Sequence, residues 1–167
     1  EKAKNGEIET FILDNLSHLS VNRWAHIEKY EKAISAKTGK EDTQTMYGTL
    51  SKWLYKFILT EVVSLPCHVV VCCHTQDEEQ DDGTGKLVAT GRTISQTLGG
   101  FRNQASSLFN ASLFLQCKVQ KGVHTYSAEC LPSHKFAAKN NVGLPQTVEN
   151  ISFKTIMDNL YRNESTK

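Results

Sequence analysis

The sequence predicts an α/β fold in which a mixed sheet is flanked by helices. Two short apolar runs, residues 8–13 and 68–73, each stop at polar residues, as buried strands do at the edge of a sheet. Two stretches with apolar residues at helical spacing lie between these runs. Farther on, two strand-like runs flank the pair Lys121-Gly122, which favours a hairpin turn.

The first half of the chain is predicted to alternate strands and helices. Residues 8–13 form the first strand. Ser20 is a candidate N-cap for a helix that continues to about residue 39, and a second helix is predicted over residues 45–65, where a proline stops it. The next strand, residues 68–73, is apolar on both faces, so we expect it to lie inside the sheet and parallel to the first strand.

The second half is predicted to be richer in loops and antiparallel strands. Residues 77–85 carry five acidic side chains and two glycines, which is typical of a solvated loop. The remaining predicted elements are a strand over 86–89, a loop over 96–100, a short helix or turn over 101–109, strands over 111–119 and 125–131, and a final helix capped by Asn150 or Ser152. We expect the hairpin strands to extend the parallel sheet.

Length and composition favour one domain over residues 1–167. The chain is 39% hydrophobic and 22% charged, and its net charge of +1 gives no global attraction to nucleic acid or to an anionic membrane. Since no apolar run approaches the roughly 18 residues of a membrane span, we expect no membrane partner. Five cysteines without a Cys-x-x-Cys spacing favour reduced thiols in an intracellular protein.

Polar residues follow both predicted parallel strands. Asp14 ends the first one, and an apolar strand ending in Asp is typical of the element that holds Mg²⁺ in nucleotide hydrolases. The alternative is an ordinary Asp at a strand terminus. The second strand ends at His74-Thr75-Gln76, where His74 or Gln76 could sense a γ-phosphate or orient the attacking water; the alternative role is a strand-end cap.

Two other patterns suggest a phosphate-binding loop and a zinc site, but each lacks a feature that such a site requires. The run Gly83-Thr84-Gly85-Lys86 lacks both the first glycine and the final hydroxyl residue of the phosphate-binding motif Gly-x-x-x-x-Gly-Lys-Ser/Thr, and two acidic residues precede it. The cysteines and histidines within residues 67–74 suggest zinc, but strand alternation sends them to opposite faces.

In their order along the chain, these motifs resemble the RecA-like ATPases of tailed phages and prophages, which are AAA-domain proteins linked to single-strand annealing and recombination. The matching segments are residues 11–19 (Phe-Ile-Leu-Asp-Asn-Leu-Ser-His-Leu), the helix with Trp53, Leu54 and Phe57, and residues 65–74, 98–100, 108–119, 135–141 and 143–145. The resemblance implies the C-terminal portion of a RecA-like P-loop NTPase core. Residues 11–19 match the Walker B strand of that family and its polar continuation. The P-loop strand that precedes the Walker B strand in that family is not found, so we expect either a truncation before the Walker B strand or a degenerate relative.

The resemblance also implies cofactors and residue roles. ATP and Mg²⁺ would be the cofactors, with Asp14 on the metal and Asn15 beside it on the nucleotide. His74 and Gln76 would sense the γ-phosphate, and Lys139 would act in trans on a neighbouring subunit's nucleotide. The family motif around this lysine continues to an arginine that the present sequence lacks.

For the whole protein, the resemblance implies ATP-dependent DNA recombination or annealing by a homo-oligomer in the bacterial host cytoplasm. Without a P-loop, the chain alone is expected to be nearly inactive. The alternative that the sequence leaves open is a catalytically inactive RecA-like binding or structural module. An unrelated α/β domain is a third interpretation.

Single-stranded DNA is a further expected partner. Its binding needs a basic track interleaved with aromatic stacking surfaces, and the compact candidate is Arg92, Phe101 and Arg102 around the Gly99-Gly100 pair. The alternative is that both arginines are solvated beside a core phenylalanine. The five acidic residues Asp77, Glu78, Glu79, Asp81 and Asp82 are expected to lie away from bound phosphate because like charges repel.

Overall fold

The computed structural model describes residue 2 and residues 4–164. The helices are α1 (Leu16–Tyr30), α2 (Thr43–Phe57) and α3 (Phe153–Glu164). The strands are β1 (Thr10–Leu13), β2 (His68–Val71), β3 (Thr75–Asp81), β4 (Leu87–Ser95), β5 (Ala111–Ser112), β6 (Phe114–Gln120), β7 (Val123–Glu129), β8 (Lys139–Asn140) and β9 (Thr147–Glu149). A π-helical turn, Ile58–Val62, continues α2, and two 3₁₀ turns span Gly99–Asn103 and Ala105–Leu108.

The chain divides into two compact units. The first comprises residues up to Gln76 together with Ile94–Leu108, and the second comprises Asp77–Thr93 together with the residues from Phe109 onward. The α/β prediction is confirmed, but the expected single mixed sheet is not present in the described residues. The strands form four small sheets instead, ordered β1-β2, β3-β4, β5-β8 and β6-β7-β9. An apolar strand pattern reports burial and does not reveal which strands become neighbours.

In the first unit, β1 and β2 form the predicted parallel pair. Their register runs from Thr10 opposite His68 to Leu13 opposite Val71. Both strands are shorter than predicted. The pairing continues past their ends, since the Cys72 N–H donates to the Leu13 carbonyl at 3.0 Å and the Leu16 N–H donates to the Cys72 carbonyl at 2.9 Å.

Helix α1 begins and ends earlier than its apolar spacing predicts. Its N-cap is Asn15, and Ser20 lies inside the helix, where its hydroxyl donates to the Ser17 carbonyl at 2.8 Å. The helix ends at Tyr30, not near residue 39. The position of an N-cap is set by one local hydrogen bond between a side chain and a backbone N–H. The spacing of apolar residues, on which the prediction was based, does not show where that bond forms.

Packing of α1 on α2 forms the core of the first unit. Ile27 from α1 and Leu50 and Leu54 from α2 are 0% exposed. Trp24 and Tyr47 stack across the helix pair with ring centroids 4.2 Å apart. Among the described residues, no helix is both long and apolar enough to cross a membrane.

The 3₁₀ turn Gly99–Asn103 packs closely on α2. Gly99 has a φ of +69°, and a Cβ at this position would lie 2.8 Å from Ser51 Oγ and 3.3 Å from the Tyr47 carbonyl oxygen. Both the left-handed backbone and the close approach therefore require glycine. Its neighbour Gly100 has neither constraint, because its φ lies outside the left-handed region and nothing in the described part of the chain lies within 4 Å of a Cβ built there.

Gly99→Ala should lower the free energy of unfolding by about 1–3 kcal/mol, since a left-handed non-glycine residue and a displaced Ser51 side chain both cost energy. Urea unfolding measures this loss. Gly100→Ala, in the same turn, is the matched control and should change stability little. Equal losses in the two variants would show that the constraint is not specific to Gly99.

The second unit contains the predicted hairpin. Strands β6 and β7 pair antiparallel, and the turn residues Lys121 and Gly122 have φ values of 50° and 78°, as a two-residue hairpin turn requires. Strand β9 pairs with β7.

A small core of Ala128, Cys130, Val142 and Leu144 lies in this unit, with Ile156 of α3 packed against it. Of the two candidate caps of α3, Ser152 is confirmed by its hydroxyl, which accepts the Thr155 N–H at 3.1 Å.

The prediction of a solvated loop over residues 77–85 is wrong, because β3 occupies most of that segment. Strand β3 pairs with β4, and β4 is longer than the predicted strand over 86–89. The Thr90 hydroxyl of β4 lies 2.9 Å from Glu78 Oε2 of β3. The acidic composition correctly indicated that most side chains of this segment are exposed. Exposed residues can still form a strand when the next segment of the chain pairs with them, as β4 does here.

Candidate functional site

The carboxyl ends of β1 and β2 lie at one edge of the parallel pair, because the two strands run in the same direction and in register. Asp14 directly follows β1, and the next peptide bond, to Asn15, is cis. His74 follows β2 by three residues. The predicted parallel pairing of the two strands is therefore confirmed, and it places Asp14 and His74 at the same edge of the sheet.

Asn15 contacts His74 across this edge. Its Nδ2 lies 3.2 Å from His74 Nε2 and 3.4 Å from His18 Nδ1, while its Oδ1 accepts the His18 N–H at 2.8 Å. The two imidazole rings are 5.8 Å apart and meet at 78°. One amide thus bridges the end of β1, the first turn of α1 and the end of β2.

The backbone of His74 is held on both sides. The Ser17 hydroxyl accepts the His74 N–H at 3.0 Å, and the His74 carbonyl accepts the Gln96 N–H at 2.7 Å. Ser17 is itself buried and lies 3.3 Å from the Cys73 thiol. Burial raises the pKa of the Cys73 thiol, so this cysteine remains protonated and serves as packing beside the site.

A hollow of about 290 Å³ opens beside these residues. Most of its lining is polar and comes from Ser17, His18, Ser20, His74, Gln76, Gln96 and Thr97. Thr97 is only 4% exposed, and within the described part of the chain its hydroxyl has no hydrogen-bond partner. Asp14 is exposed and does not line the hollow, so Asp14 and His74 share the edge of the sheet but not this cavity.

The other predicted site residues lie elsewhere. Lys139 is half-buried in β8, opposite Ser112 of β5, in the second unit. Arg92 also belongs to the second unit, and Arg102 lies in a 3₁₀ turn of the first. Phe101 is 0% exposed, which corrects its assignment as a DNA-stacking surface, because a ring without an exposed face cannot stack on a base.

The Gly83–Lys86 run forms the turn between β3 and β4 and is closed by acidic side chains. Asp81 Oδ1 accepts the N–H groups of Gly83 and Gly85 at 2.8 and 3.0 Å. The hydroxyl and the N–H of Thr84 hold the pKa of the Asp82 carboxyl below its usual value. A phosphate at this turn would have to displace carboxylates from the N–H groups that it needs.

Sequence reasoning did not identify Ser17, His18 and Thr97 as site residues. Ser17 and His18 lie in the first turn of α1, and they would have been found if Asn15 had been recognised as its cap. The cap signal was present, since asparagine is among the preferred N-cap residues. No local pattern marks Thr97, because its burial depends on the packing of the whole first unit.

Comparison with known proteins gives one result that bears on this site. The family model described as an AAA domain matches residues 2–142, which is most of the chain. The chain therefore belongs to this family of ATPase-type, nucleotide-binding domains. No curated protein matches the chain, and no solved structure does.

Proposed function

We propose that this chain carries the metal-holding and γ-phosphate-sensing side of an ATP-hydrolysing site in a RecA-like AAA domain. The contact between Asn15 and His74 carries the proposal, because it joins the polar ends of two parallel strands at one edge. In open α/β sheets, ligands bind outside the carboxyl ends of the strands. Family membership supports a nucleotide as that ligand.

Asp14 could contribute one ligand to a magnesium ion at the edge of the sheet, and the hollow could receive the terminal phosphate. Mg²⁺ is usually held by one or two carboxylates and several waters, and Asp14 supplies one exposed carboxylate at the edge. The ion would supply charge neutralisation for the phosphate oxygens. His74 and Gln76 line the hollow and can donate hydrogen bonds to such oxygens. A polar group bound there would also satisfy the buried Thr97 hydroxyl.

The phosphate cradle is the part of the site that these residues do not supply. The motif Gly-x-x-x-x-Gly-Lys-Ser/Thr does not occur in the 167 residues, and the turn at Gly83–Lys86 is closed by Asp81 and Asp82. The proposal therefore requires a cradle from polypeptide outside these residues. Without one, the chain would be the inactive RecA-like module that is the alternative function.

For the whole protein we propose ATP-dependent DNA recombination or single-strand annealing in a phage or prophage. The support is the order of short motifs shared with that family, from the strand around Asp14 to the segment around Lys139. In a homo-oligomer, Lys139 would contact the nucleotide of a neighbouring subunit. Arg92 and Arg102 remain the proposed contacts to single-stranded DNA, without a contribution from Phe101.

His74→Ala in the full-length protein should weaken ATP binding about tenfold to a hundredfold and leave ADP binding unchanged. The reason is that a hydrogen bond to a charged group contributes about 1.5–3 kcal/mol, and only ATP has the γ-phosphate that His74 would contact. Equilibrium titration with Mg·ATP and Mg·ADP measures both affinities.

His68→Ala is the matched control, since His68 lies at the amino end of the same strand. It should leave both affinities near those of the wild type. If His74→Ala lost the same affinity for ATP and for ADP, His74 would not contact the γ-phosphate. Absence of any nucleotide binding by the full-length protein would favour the inactive module.

A further inference from the structure

The orientation of the Asn15 side-chain amide is fixed by the helix that it caps. Its Oδ1 accepts the His18 N–H at 2.8 Å, and a backbone N–H can only donate. The oxygen must therefore face the helix, so the NH₂ group faces the two imidazole rings. A flipped amide would place its NH₂ against the helix N–H and lose the cap.

This orientation decides where the protons of both imidazoles lie. The NH₂ group is a donor only, so the ring nitrogens that it contacts, Nε2 of His74 at 3.2 Å and Nδ1 of His18 at 3.4 Å, must accept. In the neutral form of each ring, the proton then lies on the other nitrogen. For His74 that nitrogen is Nδ1.

We propose that Asn15 is a positioning residue that holds His74 as its neutral Nδ1–H tautomer, so that the ring offers a donor to a terminal phosphate oxygen or to a water in the hollow. Phosphate oxygens only accept hydrogen bonds, and a neutral histidine has a single donor. If that donor were Nε2–H, it would face the Asn15 amide and not the ligand. The purpose of the tautomer rests on the proposed function, whereas the tautomer itself does not.

Two hydrogen bonds hold the backbone of His74 in place beside Asn15. Its N–H is held by the Ser17 hydroxyl at 3.0 Å, and its carbonyl is held by the Gln96 N–H at 2.7 Å. Because the backbone is tied to α1 and to the segment after β4, the Cα of His74 is held close to Asn15, and the contact of Asn15 Nδ2 with Nε2 at 3.2 Å orients the ring. The amide therefore acts on a ring whose attachment point is fixed.

The tautomer is measured by two-bond ¹H–¹⁵N correlation spectra of protein labelled with ¹⁵N-histidine, at a pH where both rings are neutral. The His74 signals are assigned by their loss in His74→Gln. In the wild-type protein, His74 Nδ1 should resonate as a protonated nitrogen and Nε2 as an unprotonated one. The opposite pattern in the wild type would overturn the proposal without any variant.

Asn15→Asp tests the cause. The carboxylate keeps the size and the capping oxygen, since Asp and Asn cap helices equally well, but it replaces the donor by an acceptor. His74 Nε2 should then gain a proton, either by tautomer exchange or by protonation of the ring. An unchanged His74 spectrum in a folded Asn15→Asp protein would show that Asn15 does not set the tautomer.

Asn22→Asp is the matched control, because it makes the same chemical change at an exposed position of α1. It should leave the His74 signals as in the wild type. These spectra require no nucleotide, so their outcome is independent of the ATP and ADP titrations. A correct tautomer without nucleotide binding would retain the positioning role and reject the proposed function.

Discussion

Asp14→Asn in the full-length protein should abolish ATP hydrolysis and leave the fold intact. The substitution keeps the size of the side chain but removes the charge proposed to hold Mg²⁺. Removing one group that stabilises charge in a transition state typically costs about 10²–10³ in kcat, and a loss of at least this size is expected. The fold should persist because Asp14 is exposed and lies between β1 and α1.

Phosphate release at saturating ATP measures the activity, and thermal melting followed by circular dichroism measures the fold. Asp158→Asn is the matched control, since Asp158 is an exposed aspartate of α3, far along the chain from the strand ends. It should hydrolyse ATP at the wild-type rate. Wild-type hydrolysis by Asp14→Asn would mean that Asp14 is an ordinary strand terminus.

The parallel pair could be predicted from the sequence because its signal is local. Residues 8–13 and 68–73 are short apolar runs with polar ends and a helical stretch between them, and a parallel connection needs such a crossover. Because parallel strands end at the same edge of a sheet, the position of Asp14 and His74 at one edge is a consequence of this pairing. What could not be predicted was the size of the sheet, since the number of neighbours of a strand is a property of the whole fold.

The detail of the site depended on a helix start that the apolar pattern placed five residues too late. With Ser20 taken as the cap instead of Asn15, Ser17 and His18 fell into a loop before the helix. The 3.2 Å contact between Asn15 and His74 also needs the register of β1 on β2, which no single segment contains. Sequence reasoning therefore located the edge of the site and named Asn15 and His74, but it did not show that these two side chains contact each other or that Ser17 and His18 join them.

The exposure of Phe101 likewise depends on contacts between distant segments of the chain. An aromatic residue between glycines and an arginine has the composition of a stacking loop, and the sequence left open whether it was exposed. In the structure the 3₁₀ turn Gly99–Asn103 packs on α2, and Phe101 enters the core of the first unit. Packing between segments some fifty residues apart decided the outcome.

Phe101→Ala should destabilise the protein by about 3–5 kcal/mol, because truncating a buried phenylalanine removes its transfer free energy and leaves a cavity. This is a large share of the roughly 5–15 kcal/mol that stabilises a typical domain. Urea unfolding measures the loss. Phe101→Leu, which fills more of the space, should recover part of it.

Phe153→Ala is the control for loss of an aromatic ring, since Phe153 is 43% exposed and its truncation should cost much less. The comparison also decides how DNA binding can be tested. If Phe101→Ala unfolds the first unit, loss of single-strand binding in that variant says nothing about stacking, and Arg102→Ala becomes the informative substitution. Wild-type stability of Phe101→Ala would contradict the buried position of the ring and restore Phe101 as a candidate for contact with DNA.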